Sequence, residues 1–201
     1  MVARIVYPLF GAAIAAALGL ASMPAWAGYD EGLTARQRGD FAGAIKEWTA
    51  AAEAGDARAQ FGLGAMYRNG EGVPPDPAVA ANWYRKAALQ GFAQAQYSLG
   101  ALYQNGVGVA KDDAVAASWY SEAARQGHAQ AQYSLAVMYQ IGAGVKADLV
   151  EAFAWLSLAA LQGQTGAAAA LGRVAIQLTP EQQTAAERKG EDYGERFKAK
   201  P

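Results

Sequence analysis

Ala95-Gln96-Tyr97-Ser98-Leu99 recurs letter for letter at Ala131-Gln132-Tyr133-Ser134-Leu135, and a third form, Ala59-Gln60-Phe61-Gly62-Leu63, stands upstream. Successive copies are offset by 36 residues. The same offset separates Gly55, Gly91, Gly127 and Gly163, then Trp83, Trp119 and Trp155, then Asp76, Asp112 and Asp148. A fixed period shared by so many residue types marks a repeat architecture. Three full units follow: 56–91, 92–127 and 128–163.

Each unit reads as two helices. Ala59, Leu63, Met66 and Tyr67 fall at i, i+4, i+7 and i+8, one face of a helix over about 57–69. Ala80, Trp83, Tyr84, Ala87 and Ala88 give the same pattern over about 77–90. Asp76 precedes the second helix as an N-cap and Pro77 takes its first position, and Asp112 and Asp148 repeat the cap. Gly91 and its copies read as left-handed C-terminal caps. Between the helices lies Gly70-Glu71-Gly72-Val73, repeated as Gly106-Val107-Gly108-Val109 and Gly142-Ala143-Gly144-Val145. No strand precedes these glycines and no Lys-Ser/Thr follows, so they read as turn residues rather than a phosphate cradle.

The flanks extend the pattern. Residues 28–55 form a helical pair with a short turn, in which Ala44, Ala51, Ala52 and Trp48 match Ala80, Ala87, Ala88 and Tyr84. Residues 164–201 form a partial repeat and a polar last helix, with Thr179 as N-cap and Gln182 closing a capping box. The second helix of unit three carries Phe153, Leu156, Leu158 and Leu161 where unit two has Ala117, Tyr120, Glu122 and Arg125. That surplus is expected to receive the C-terminal helices, the alternative being a partner or dimer patch. One unit cannot bury its own apolar face, and stacked units can. The expected fold is all-α: an α-solenoid of stacked antiparallel helix pairs, about ten helices in a single domain over 28–201.

Residues 1–27 read differently. Arg4, an uncharged run from Ile5 to Ser22, Pro24 and Ala25-Trp26-Ala27 have the layout of a signal peptide cleaved after Ala27. The rival is a retained anchor, since the run approaches spanning length. The expected location is periplasmic or secreted, with no stable membrane insertion after cleavage. Lys plus Arg is 17 against 18 Asp plus Glu, a balance that does not point to nucleic acid. The chain has no Cys and one His, which leaves no disulfide and none of the common zinc sets. No cofactor is expected. His128 reads as an exposed loop residue, and Ser98 and Ser134 have no repeating base beside them.

The pattern A-x-A-Q-x-x-L-G-x-x-Y-x-x-G-x-G-V, then Asp, then A-x-x-W-Y-x-x-A-A-x-x-G, resembles the Sel-one-like repeat, a relative of the tetratricopeptide repeat. Phe92–Gly127 matches nearly throughout: Ala93, Ala95, Gln96, Leu99, Gly100, Tyr103, Gly106, Gly108, Val109, Asp112, Ala116, Trp119, Tyr120, Ala123, Ala124 and Gly127. Unit three departs at Ala136 and Leu156, and the pair 28–55 looks more like an ordinary tetratricopeptide unit. The resemblance implies a right-handed solenoid serving as a scaffold or adaptor, without catalysis, whose first helices line a concave surface. Exported bacterial members are linked to envelope regulation or host contact. Some cysteine-rich members are associated with β-lactam binding, which this cysteine-free chain does not match.

On a wheel of about 100° per residue, four positions of the first helix fall between about 180° and 260° from Ala59, away from the core. Through the units they give Arg58, Gln94 and Gln130; Phe61, Tyr97 and Tyr133; Ala65, Ala101 and Val137; and Arg68, Gln104 and Gln140. Stacked, they make an aromatic row flanked by Arg and Gln, the composition of a peptide-binding groove. The rival reading packs these rings between neighbouring units. Tyr97→Ala and Tyr133→Ala are expected to weaken partner capture with thermal stability nearly intact. The expected partner is a protein or peptide and the expected state a monomer. Alternatives are a periplasmic regulator that holds an envelope sensor or enzyme inactive, and a binder of cell-wall glycan or peptide.

Overall fold

The computed structural model describes residues 25–197. The expected leader lies outside them, apart from the backbone of 25–27. Ten helices and no strand occur among the described residues: α1 Ala25–Gln37, α2 Phe41–Glu53, α3 Ala57–Asn69, α4 Pro77–Leu89, α5 Ala93–Asn105, α6 Asp113–Arg125, α7 Ala129–Ile141, α8 Leu149–Leu161, α9 Ala167–Ala175 and α10 Pro180–Arg196. Helices pair as α1/α2, α3/α4, α5/α6 and α7/α8, and the second of each pair packs on the first of the next. None of the described helices is long and apolar enough to cross a membrane.

The ends of the helices are where the side chains require them. Asp76 accepts from the N–H of Ala78 and Val79, and Asp112 and Asp148 do the same in their units. Each cap satisfies backbone donors that the first turn leaves free. At the C-terminus of α4, Gly91 N–H donates to Ala88 O and Phe92 N–H to Ala87 O, the paired bonds of a Schellman motif.

The core is made of alanines and a few rings. Tyr84, Tyr120 and Trp48 are buried, each beside an i, i+3/i+4 alanine set on its own helix. A glycine from the first helix makes room for each ring. A Cβ on Gly64 would lie 2.6 Å from Tyr84 and one on Gly100 2.8 Å from Tyr120. Gly32 stands in the same relation to Trp48. Unit three replaces both partners at once: Ala136 for the glycine and Leu156 for the tyrosine, both fully buried. The two departures from the repeat pattern are therefore one packing exchange, with volume moved from one helix to the other.

The tryptophans are less uniform than their spacing suggests. Trp155 is buried, but Trp83 and Trp119 are only partly so. Tyr67, placed on the core face by its spacing, and its counterparts Tyr103 and Tyr139 one and two units on are also partly buried. The difference lies in what covers the outer face. The Lys86 ammonium sits 4.0 Å above the Trp83 ring, whereas Tyr193 of α10 and Phe197 at its C-cap lie on Trp155 at 4.6 and 5.8 Å between centroids.

The last helix does not close another pair with α9; it packs along α8. Phe153 and Leu158 are buried there, as their excess hydrophobicity led one to expect, whereas Leu156 is buried in the tyrosine's place and Leu161 stays exposed. Gly190 brings the α10 backbone against Ser157 of α8. Glu151 of α8 binds Lys189 at 2.8 Å and accepts from the Tyr193 hydroxyl. The capping box at Thr179 and Gln182 is present.

Candidate functional site

The candidate row begins on the first helix of each unit and is only partly open. Phe61, Tyr97 and Tyr133 are partly buried, as are Arg58, Ala65, Ala101, Gln104, Gln130, Val137 and Gln140. Arg68 and Gln94 are exposed. Each of the first two rings lies between two others. Phe61 meets Tyr84 of its own unit and Phe92 of the next, both at 5.4 Å. Tyr97 meets Tyr120 at 5.6 Å and His128 of the next unit at 4.9 Å, nearly parallel. Tyr133 has Leu156 and Gln164 at the corresponding positions, and its ring has no aromatic neighbour among the described residues. Packing between units and a surface edge thus coexist in the same rings. Tyr97→Ala would remove both ring contacts, so a loss of thermal stability is now the expected outcome for that variant.

His128 is not the exposed loop residue of the sequence reading. It caps α7: its Nδ1 accepts from the Ala131 N–H at 3.2 Å. The ring is therefore neutral with the proton on Nε2, which donates to Gln94 Oε1 at 2.9 Å. Burial lowers its pKa below the usual value. Gln164, one unit on, donates to Gln130 Oε1 at 2.7 Å in the same way. Along the row, then, each of these units is stitched to the next by a stacked or hydrogen-bonded pair.

Charge sits at one end. Arg58 forms a two-point bond to Asp56, with Nη2 to Oδ2 at 2.9 Å, and its guanidinium lies 4.3 Å from the Tyr29 ring centroid. Burial pushes the Asp56 carboxyl up, but bonds from Arg58 and from backbone N–H groups outweigh it and hold the acid below its usual range. Among the described residues Arg68 bonds only to the neighbouring Asn69 side chain. The equivalent residue of unit two, Gln104, accepts from the Tyr120 hydroxyl at 2.8 Å. The Tyr84 hydroxyl, which faces an arginine position instead, is buried with no hydrogen-bond partner.

A second set of glutamines is structural: Gln60, Gln96 and Gln132 are all buried. Gln96 donates to Ala88 O at the end of α4 and accepts from Gln126 at the end of α6. Gln60 with Ala52 and Gln90, and Gln132 with Ala124 and Gln162, repeat this arrangement. The signal was available: Gln90, Gln126 and Gln162 recur at the same period as their partners.

The paired-glycine loops are packed against backbone. A Cβ on Gly108 would fall 2.2 Å from Pro77 O, and one on Gly144 2.1 Å from Asp113 O. The loop lies against the N-terminus of the second helix of the preceding unit, so these glycines serve close backbone packing between units. Among the described residues no group of three His, Cys, Asp or Glu side chains could hold a metal ion.

The repeat model for "Sel1 repeat" matches residues 57–92, 93–128 and 129–164, three consecutive units in register with α3/α4, α5/α6 and α7/α8. The chain belongs to the Sel1 repeat family. Two solved structures share the fold. One is a protective antigen of uropathogenic Escherichia coli with an SLR fold, 33% identical, TM-score 0.79, covering 86% of this chain and 38% of that one. The other is a Sel1 repeat protein of Oxalobacter formigenes, 33% identical, TM-score 0.69, covering 72% and 59%. This chain therefore spans less than two thirds of either neighbour. A search of curated proteins gave no match. Sel1 repeats are typically non-catalytic scaffolds, and the architecture suggests protein–protein interaction.

Proposed function

We propose that this Sel1 repeat chain is an exported, non-catalytic scaffold that holds a protein or peptide partner along the concave surface lined by its first helices. The observation that carries this reading is the partly open row Phe61, Tyr97 and Tyr133, flanked by Arg58 and Arg68 at one end and by Gln94, Gln104, Gln130 and Gln140 along its length. Rings already held by neighbours present an edge to a ligand at little further cost in side-chain entropy. The glutamines offer amide donors and acceptors at the unit spacing, which suits the backbone of an extended segment. The arginines favour a partner with negative charge toward its end over unit one.

Export rests on the layout of residues 1–27. Cell fractionation and N-terminal sequencing of the mature protein test it, the expected first residue being Gly28. Binding is tested with Arg68→Ala, Val137→Asp and Gln140→Ala, whose side chains carry little of the core. Each is expected to reduce capture of the same envelope protein while circular dichroism and melting stay as in the parent. Sedimentation with cell-wall material but not with envelope protein would replace this reading with glycan recognition.

A further inference from the structure

We propose a second docking surface, the groove between α8 and α10, which takes a basic amphipathic segment of another protein. The inference is independent of the row on the first helices. The groove encloses about 480 Å³. Its floor is Phe153, Leu158 and Leu161 of α8, and its wall is Glu187, Glu191 and Glu195 of α10. Leu161 is 84% exposed at the mouth. In unit two the residues equivalent to Leu158 and Leu161 are the charged Glu122 and Arg125, which bridge each other at 3.6 Å. Unit three thus exchanges a solvated ion pair for two leucines. The last helix covers Phe153 and Leu158 and stops short of Leu161.

Gly190 lies against Ser157 and Gly194 against Leu158, so the α10 backbone sits close on α8 and adds no side chain over the apolar strip. The wall then presents one carboxylate per turn, at i, i+4 and i+8, about 6 Å apart along the axis. Among the described residues the ion pairs of this helix go elsewhere: Lys189 to Glu151 and Arg196 to Asp192. An apolar strip bordered on one side by a ladder of carboxylates matches a helix with Leu or Ile on one face and Lys or Arg at i, i+4 beside it. The same ladder opposes the other occupants. A two-fold contact across the groove brings two glutamate walls toward each other, and an anionic bilayer is repelled.

The test uses the chain with its C-terminus intact and two fluorescent peptides of equal length and apolar pattern, one Leu/Lys and one Leu/Glu. A third peptide keeps the lysines but carries serine for leucine. Anisotropy is expected to show binding of the Leu/Lys peptide alone, weakening as salt is raised. Leu161→Ser, at an exposed position, and the triple change Glu187→Gln, Glu191→Gln, Glu195→Gln are each expected to lower that affinity by about tenfold. Arg68→Ala is expected to leave it unchanged, which separates this surface from the row. Equal binding of the Leu/Glu or Ser/Lys peptide overturns the proposal, as does an unaffected Leu161→Ser variant. Self-association abolished by Leu161→Ser would identify the occupant as a second copy and overturn it too.

Discussion

The Tyr97 ring stacks on His128 at 4.9 Å between centroids and 20° between planes. The imidazole that receives it also closes the first turn of α7 and binds Gln94. Two contacts across one unit boundary and the cap of α7 therefore converge on this one imidazole, and the cap requires Nδ1 to be unprotonated. Protonating Nδ1 deletes the cap and forces charge into a partly buried site. The folded pKa lies below the ordinary 6.5. The contribution of His128 is accordingly complete above about pH 6.5 and is lost as pH falls through the lowered folded value. Melting temperature is expected to decline from pH 7 toward pH 5 in the parent and to decline less in His128→Asn, which keeps a capping acceptor but does not titrate. Parallel curves for the two proteins would refute this.

The glycine–ring pairs predict a compensating double substitution. Gly100→Ala puts a methyl 2.8 Å from the Tyr120 ring and is expected to cost about 1–3 kcal/mol as overpacking. Tyr120→Leu alone leaves a cavity. Together they recreate the Ala136/Leu156 pair of unit three. Chemical denaturation of the four proteins is expected to show the double variant less destabilised than the sum of the singles.

Gln96 joins three helices, so Gln96→Ala leaves the buried Ala88 carbonyl and the Gln126 amide short of partners. The expected loss is about 1–3 kcal/mol. Gln94→Ala, two residues earlier and exposed, loses a solvated bond and is expected to cost no more than about 0.5 kcal/mol. Urea midpoints of the two variants check the contrast.

Gly108→Ala combines a positive φ of 71° with a backbone atom in the path of the new Cβ. A methyl there must push the loop away from the start of α4. The conformational part alone is about 1–2 kcal/mol, and the displacement adds to it. Gly127→Ala has a positive φ and open space, so it isolates the conformational part. The first variant is expected to unfold at clearly lower urea than the second.

How much of this was legible in the residues varies along the chain. The helices, their aspartate caps and the Thr179 capping box follow from short-range spacing, and the structure places them where spacing put them. Tyr97 shows the limit. Its wheel angle gave a direction away from its own helix's core, but His128, which covers one side of it, is 31 positions away in the chain. Gln96 is a similar case. A polar residue at a core boundary reads as an edge until its two partners are known, and both lie on other helices.

By itself the sequence determined the unit. A 36-residue period, alternating between two 3.6-residue patterns and punctuated by Asp and Gly, specifies helix pairs that must stack to bury alanines and rings. The tertiary structure alone decided what each repeated letter does at its boundary. Trp155 is buried and Trp83 is not, because α10 lies on one and only a lysine on the other. Leu158 is covered and Leu161 is open, because α10 turns along α8 and presents glycines there. Local propensity acts within a turn or two of one helix, whereas burial depends on which distant surface arrives. A periodic sequence repeats the first and leaves the second to be settled at each interface.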